Sequence, residues 1–335
     1  MIEIKNLTKV FPARKGLLGH DAIKAVANVC FSIPEAGSAS FIGESGSGKT
    51  TIGRILAGLE TPSSGDIWIQ GVNVTKMPQA ERRRFLRQVQ LIQQDPYQAL
   101  NPARTIEQAL GDPLKVIARE RGQDSAWIQT RMHDVLHRVG IEPGSVLNKY
   151  PHMLSGGQRQ RIVIARALTV DPKVLVADEA VSMIDVSLRL GVLKLLKDLR
   201  EQFGISLLFI THDVASARYV GQNGQLFVIY KGMVIESGPT DQIIDQPYHP
   251  YTQALLSAVP VLKGLENPGP DRFIPLRGDD QELIPDTVCL YQPRCPFAQT
   301  KCREERPALQ GTEHAHACHF PVVRRVVATV RANEG

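Results

Sequence analysis

The chain has 335 residues and a mass of 37.0 kDa, too long for a small disulfide-stapled module and long enough for one large domain with an appendage, or two domains. Its 43% apolar and 22% charged residues exclude a disordered chain, and a net charge of +5 permits an anionic partner without choosing nucleotide, nucleic acid or membrane. No run approaches the ~18 apolar residues of a spanning helix, and the opening MIEIKNLTKVF lacks the regions of a secretory signal; a cytosolic chain is expected, with attachment to a membrane partner left open.

In chain order, residues 2–7 read as a strand. Val29, Phe31 and Ile33 alternate with Asn28, Cys30 and Ser32 as in a half-buried strand. A short apolar strand, 38–42, runs into a glycine-rich turn, and Ile67 and Ile69 mark another strand after the turn at 62–65. Residues 100–140 read mainly as helix, with Ile128, Met132, Val135, Leu136 and Val139 on one stripe. The run 173–177 is continuous and apolar, as in strands buried within parallel sheets. Leu190, Leu193, Leu196, Leu199 and Phe203 form a second helical stripe closed by Gly204. A further buried strand covers 207–210, and 226–237 reads as a hairpin turning at Lys231-Gly232. Beyond Gly238 prolines become frequent and periodicity fades, so the main domain is expected to end near 240.

The first chemical motif is Gly43-Glu44-Ser45-Gly46-Ser47-Gly48-Lys49-Thr50, followed by Thr51. It fits the phosphate-binding pattern G-x-x-x-x-G-K-[ST], in which glycines let backbone N–H groups turn toward phosphate oxygens. Lys49 is expected to reach the β- and γ-phosphates, the Thr50 hydroxyl to ligate Mg²⁺, and the following helix to present its positive end. The second motif is the apolar run 174–177 ending in Asp178 and Glu179. Opposite a phosphate loop, Asp178 would hold Mg²⁺ and Glu179 would polarise the attacking water; read alone, the two carboxylates could simply begin a helix. The third is Leu154-Ser155-Gly156-Gly157-Gln158, which presents N–H groups and a helix dipole to an anion, or is an ordinary helix cap.

Together, and in this order, the motifs over residues 1–240 resemble those of the ATP-binding-cassette (ABC) ATPases, whose signature is LSGGQ. The resemblance implies a phosphate-loop α/β fold: a RecA-like core, an antiparallel β subdomain and an α-helical subdomain at about 96–155 that docks on a transmembrane partner. It implies that Phe11 stacks on adenine and that Gln94 serves as the Q-loop glutamine, a catalytic and Mg²⁺-binding group. Asp185 would be the D-loop aspartate and His212 the switch histidine. Residues 43–51 and Phe11 would bind ATP, and Ser155, Gly156, Gly157 and Gln158 would complete the ATP site of a second, identical or homologous, ATPase subunit. Ala180 stands where the family usually has proline.

The segments 97–102, 150–152, 155–161, His249-Pro250-Tyr251-Thr252-Gln253-Ala254-Leu255-Leu256 and Pro293-Arg294-Cys295-Pro296 narrow the resemblance to the ATPases of dipeptide and oligopeptide importers. That implies an ATP-hydrolysing, energy-coupling subunit, peripheral on the cytoplasmic face of the inner membrane. Its partners would be permease subunits and, through them, an extracytoplasmic solute-binding protein. A soluble ABC ATPase of translation or DNA repair is the alternative, disfavoured because those chains carry two cassettes or large inserted domains. The expected division is 1–240 for the ATPase domain, 241–262 for a linker or helix with the HPYTQALL motif, and 263–335 for a small irregular C-terminal domain.

Cys289, Cys295, Cys302 and Cys318 crowd that last part, apart from Cys30. Four thiols in a reducing compartment suit metal better than disulfides. An iron–sulfur cluster, structural zinc with His314, His316 or His319 substituting, and free buried thiols are all open on residue chemistry. The family resemblance favours a [4Fe–4S] cluster. The basic run Arg82, Arg83, Arg84 and Arg87 reads as a solvated helix face or partner contact rather than a nucleic-acid patch, because no aromatics interleave it.

Overall fold

The computed structural model describes residues 1–12, 22–258, 274, 284–324 and 326. Residues 259–262 of the expected linker and most of 263–283 in the expected C-terminal domain lie outside the described residues. The chain divides into two compact units: Met1–Lys5, Phe31–Ser38 and Thr50–Ile210 in the first, and Asn6–Cys30, Ala39–Lys49 and Thr211–Gly335 in the second.

In the first unit, the strands Val89–Ile92, Val174–Asp178 and Ser206–Ile210 run parallel, with Ile92 beside Ala177 and Asp178 beside Ile210. Every residue of the last two is buried, which explains their unbroken apolar runs. The helix Lys49–Leu56 comes close to them at Gly53, where a Cβ would stand 3.0 Å from both Ile210 Cδ1 and Val176 Cγ1. Residues 100–140 are mainly helical, as expected. Ile106–Arg121 starts at a Thr105/Gln108 capping box, and Ser125–Arg138 starts under an Asp124 cap. Leu110, Leu114 and Ile117 of one and Met132, Val135 and Leu136 of the other are buried.

The stripe expected on Val186–Phe203 is corrected. Leu190 and Phe203 are 59% and 42% exposed, and the buried face is Val192, Leu193, Leu195, Leu196 and Leu199. A helix face only about 100° wide cannot bury every apolar residue of a leucine-rich helix. Phe203 instead lies under the Arg138 guanidinium, 4.8 Å away. Gly204 closes the helix in the left-handed conformation, as expected.

In the second unit, residues 39–42 pair in parallel with Gln225–Tyr230, which turns through Lys231-Gly232 (φ 44° and 80°) into antiparallel Met233–Pro239. This is the predicted hairpin, with both central residues in the left-handed region that matches strand twist. Residues on both sides of 240 share one core: Ile42, Leu226 and Val228 pack with Ile243, Tyr251, Ile274 and Tyr291. The tail adds the strand Ala315–His316, paired with Ser237 and Glu236, an element too short for periodicity to reveal. Cys30 is exposed and exchanges hydrogen bonds with Asn6. Among the described residues no helix is long and apolar enough to cross a membrane.

Candidate nucleotide site and cysteine cavity

The phosphate loop belongs to the second unit. Gly43, Gly46 and Gly48 have φ of 152°, 79° and 102°, conformations that side chains disfavour. At Gly43 a Cβ would lie 2.2 Å from the Ile229 carbonyl oxygen, and at Gly48 2.2 Å from that of Ala25, so backbone itself forbids a side chain there. Lys49 is 6% exposed and donates to the Gly43 and Glu44 carbonyls, both at 2.8 Å, and to Ser47 Oγ at 3.2 Å. Those carbonyls hold the ammonium in the concavity of the loop. Ser45 and Gly46 are exposed, and a Cβ at Gly46 would meet open space. Phe11 is half-buried, with Lys9 Nζ 4.8 Å from its ring centre. His212 is exposed, next to Asp213, whose carboxylate caps the helix Val214–Val220.

The first unit carries the acidic part. Thr50 Oγ1 donates to Asp178 Oδ1 at 3.2 Å, and Asp178 is 6% exposed. Glu179 has φ 50°, a strained backbone for a side-chain-bearing residue that no sequence signal announced. Its N–H donates to the Ile210 carbonyl at 2.9 Å, and its carboxylate accepts from the Ser182 hydroxyl. Thr51, next to Thr50 in the helix, is half-buried. Gln94 is exposed between Val89–Ile92 and the Asp95-capped helix Pro96–Ala99.

Ser155 caps the helix Gly156–Leu168 in a full capping box: Gln158 N donates to Ser155 Oγ at 3.3 Å, and Ser155 N donates to Gln158 Oε1 at 3.2 Å. Arg159, part of the signature run but without a role readable in the sequence, is buried under the Tyr97 ring at 3.7 Å and donates to the Pro151 and Leu154 carbonyls, so it fixes the turn leading into the cap. Gly156 has no neighbour where a Cβ would stand, and Gly157 is buried. Asp185 precedes Val186–Phe203 without a side-chain cap bond, flanked by exposed Met183 and Val186. Arg82, Arg83 and Arg87 line an open groove with Gly58, Leu59 and Glu60, and Arg87 pairs with Glu120 at 2.9 Å.

All four tail cysteines line one small cavity, together with His249, Tyr291, Phe297 and His319. None is in a disulfide. Burial pushes the Cys295 thiol up to about 12, the Cys318 thiol up to about 11, and that of Cys289 upward too. Among the described residues no three His, Cys, Asp or Glu side chains are grouped so as to hold a metal ion. The expected histidine substitutes divide. His319 lines the cavity, with Nε2 2.9 Å from the Glu305 carbonyl. His314 turns to the buried Glu236 carboxylate at 2.7 Å, and His316 stacks edge-on to Tyr248. His249 lines the cavity instead, a position readable only once Pro250–Ser257 is seen to start under its ring.

A glycine-lined loop cradling a buried lysine in one unit, and a threonine bonded to a buried aspartate in the other, are parts expected of a phosphate-loop nucleoside triphosphatase. Residues 26–182 match the family described as ABC transporter, and residues 235–302 match the oligopeptide/dipeptide transporter C-terminal region. The di/tripeptide transport ATP-binding protein DppF of Pseudomonas aeruginosa is 37% identical over 326 residues, 95% of this chain and 97% of that protein. The oligopeptide transport ATP-binding protein AppF of Bacillus subtilis is 36% identical over 330 residues, 96% of this chain and 97% of that one. Among solved structures, a bacterial ABC transporter cassette in dimeric form superimposes with TM-score 0.62 at 30% identity, covering 72% of this chain and 99% of that one. The chain belongs to the ATP-binding proteins of the ABC transporter family, has the ABC cassette fold, and is an ABC-type ATPase.

Proposed function

We propose that the chain is the ATP-hydrolysing subunit that powers an importer of di- or oligopeptides or a related small solute. The observation that carries this is the likeness to peptide transport ATP-binding proteins over 95% of its length, C-terminal region included. In this reading Phe11 stacks on adenine, residues 43–51 bind the phosphates, and Lys49 leaves the carbonyls it now bonds for the β- and γ-phosphates. Thr50, Asp178 and Gln94 would hold Mg²⁺, which neutralises phosphate charge. Glu179 orients the water that attacks the γ-phosphorus as the bond to the bridging oxygen breaks, and His212 supports the developing charge. Ser155, Gly156, Gly157 and Gln158, with Asp185, face the ATP of a second ATPase subunit; one phosphate loop and one signature per chain support that pairing.

Residues 1–240 serve as the ATPase domain, with 96–155 docking on permease subunits at the cytoplasmic face of the membrane; 241–262 link it to the C-terminal domain 263–335. An external solute-binding protein is engaged only through the permease, and nucleic acid has no part. Cys289, Cys295, Cys302 and Cys318 would hold a [4Fe–4S] cluster. Four thiols lining one cavity support a thiolate-held group there, with zinc as the alternative occupant. The cluster would crosslink a segment rich in irregular backbone.

In vesicles carrying the permease and supplied with the binding protein, peptide should accelerate ATP hydrolysis by this chain. Hydrolysis indifferent to peptide, or capture of the chain on ribosomes or DNA in place of membranes, overturns the reading.

A further inference from the structure

Glu44 is the second residue of the phosphate loop, yet two of its groups are engaged by the C-terminal segment and a third by Lys49. Its N–H donates to the Tyr251 hydroxyl at 2.8 Å, and its carbonyl accepts from Lys49 Nζ at 2.8 Å. Its carboxylate takes both arms of the Arg294 guanidinium, Nη1 to Oε2 at 2.8 Å and Nη2 to Oε1 at 2.9 Å. The Arg294 side chain is 9% exposed, and 250 residues separate the partners. Arg294 is fastened in turn: its N–H donates to the Tyr291 carbonyl at 3.1 Å, Tyr291 packs edge-on against Tyr230 and Tyr251 at 5.4 Å, and Cys295 follows directly.

A buried ion pair contributes little net stability, because desolvation offsets attraction. What a two-armed arginine–carboxylate pair does supply is fixed geometry. Here that geometry is imposed on the carbonyl that holds Lys49.

We propose that Arg294 is a positioning residue for nucleotide turnover, setting the phosphate loop through Glu44 and so tying ATP use to the C-terminal segment. The proposal rests on the reading of residues 43–50 as the ATP phosphate site, and it holds whatever occupies the cysteine cavity. Arg294 acts on Lys49 through one residue, Glu44.

The test is a double-substitution cycle on the full chain, R294Q and E44Q singly and together, read by Mg-ATP affinity, kcat and KM. R294Q should lower kcat/KM for ATP by about tenfold or more, since small misplacements of phosphate-binding groups are costly. In the E44Q background the same change should cost less than about twofold. R294K, which keeps charge without the fork, should fall between and serves if R294Q does not fold. F297A loosens the cysteine cavity without touching Glu44 and reports what general destabilisation does; it should lower Tm more than kcat/KM. Parent-like turnover in R294Q, full additivity with E44Q, or an equal turnover loss in F297A at equal Tm overturns the proposal. Absence of ATP binding in the parent chain overturns the ATP reading first, and the proposal with it.

Discussion

The Thr50 hydroxyl donates to the Asp178 carboxylate across 3.2 Å, joining residues 128 apart in the chain. A hydroxyl and a buried carboxylate so placed are two oxygen donors for one hard cation. Thr50→Val keeps the shape and removes one donor. The Mg²⁺ concentration for half-maximal ATP turnover should rise by at least about tenfold, as magnesium titration of the purified variant would read. An unchanged magnesium requirement would refute the pairing as a cation site.

Lys49→Ala removes the ammonium now held by Gly43, Glu44 and Ser47. Tight ATP binding should be lost, because in the proposed reading the lysine contacts phosphate in the ground state and transition state alike. Calorimetric titration with Mg-ATP is the check, and parent affinity in the variant would remove the loop from the phosphate site.

Glu179→Gln should retain ATP binding and slow hydrolysis by about 10²-fold or more, the range of a lost general base. Its strained φ of 50° aims the side chain, and glutamine fits the same backbone, so Tm should move little. Single-turnover hydrolysis separates the two steps; a parent rate would transfer the role to another group.

Any one of Cys289, Cys295, Cys302 or Cys318 changed to Ser should abolish the iron and sulfide bound by anaerobically purified protein. Mg-ATP binding should persist in these variants. Iron, sulfide and zinc analysis decides: one zinc per chain without iron indicates a zinc site, and neither metal indicates plain buried thiols.

His249 gives a pH signature. It is wholly buried, its Nδ1 accepts from Tyr251 N at 3.0 Å, and burial pushes its pKa down from 6.5 to about 4. The neutral form is the folded one, so its contribution is complete above pH 6.5. As pH falls from 6.5 to 4 the unfolded chain takes up a proton that the folded chain refuses, and stability drops by about 3 kcal/mol. His249→Asn retains a helix-capping side chain and should flatten that slope. Denaturant midpoints of parent and variant at pH 7 and 5 measure it; equal slopes would contradict the assignment.

Much of the backbone at the candidate nucleotide site was legible because local rules dictate it. Gly43 and Gly48 are glycine because neighbouring carbonyls leave no room for a Cβ, and the run ending in Asp178 is apolar because both faces of its strand are covered. The hairpin at Lys231-Gly232 followed from turn chemistry. What escaped depends on distant partners. Nothing near Glu44 announces Arg294, and nothing near Tyr97 announces Arg159. Leu190 and Phe203 carry the same apolar label as Leu193, and only packing decides which side of the helix is covered. His314 and His316 were grouped with the cysteines by sequence proximity, whereas Glu236 and Tyr248 claim them in space.

The two-residue strand Ala315–His316 has a practical consequence for trimming the chain. It bonds to Glu236 and Ser237, and Ala317 N donates to the Ile235 carbonyl at 2.8 Å. A version cut after residue 258 to isolate a minimal cassette would bare the outer rim of Met233–Pro239, with its N–H and C=O groups unpaired and Glu236 stripped of His314. Open strand rims recruit other chains. Such a fragment should self-associate as it is concentrated, and the tail therefore doubles as the chain's own guard against sticking to itself.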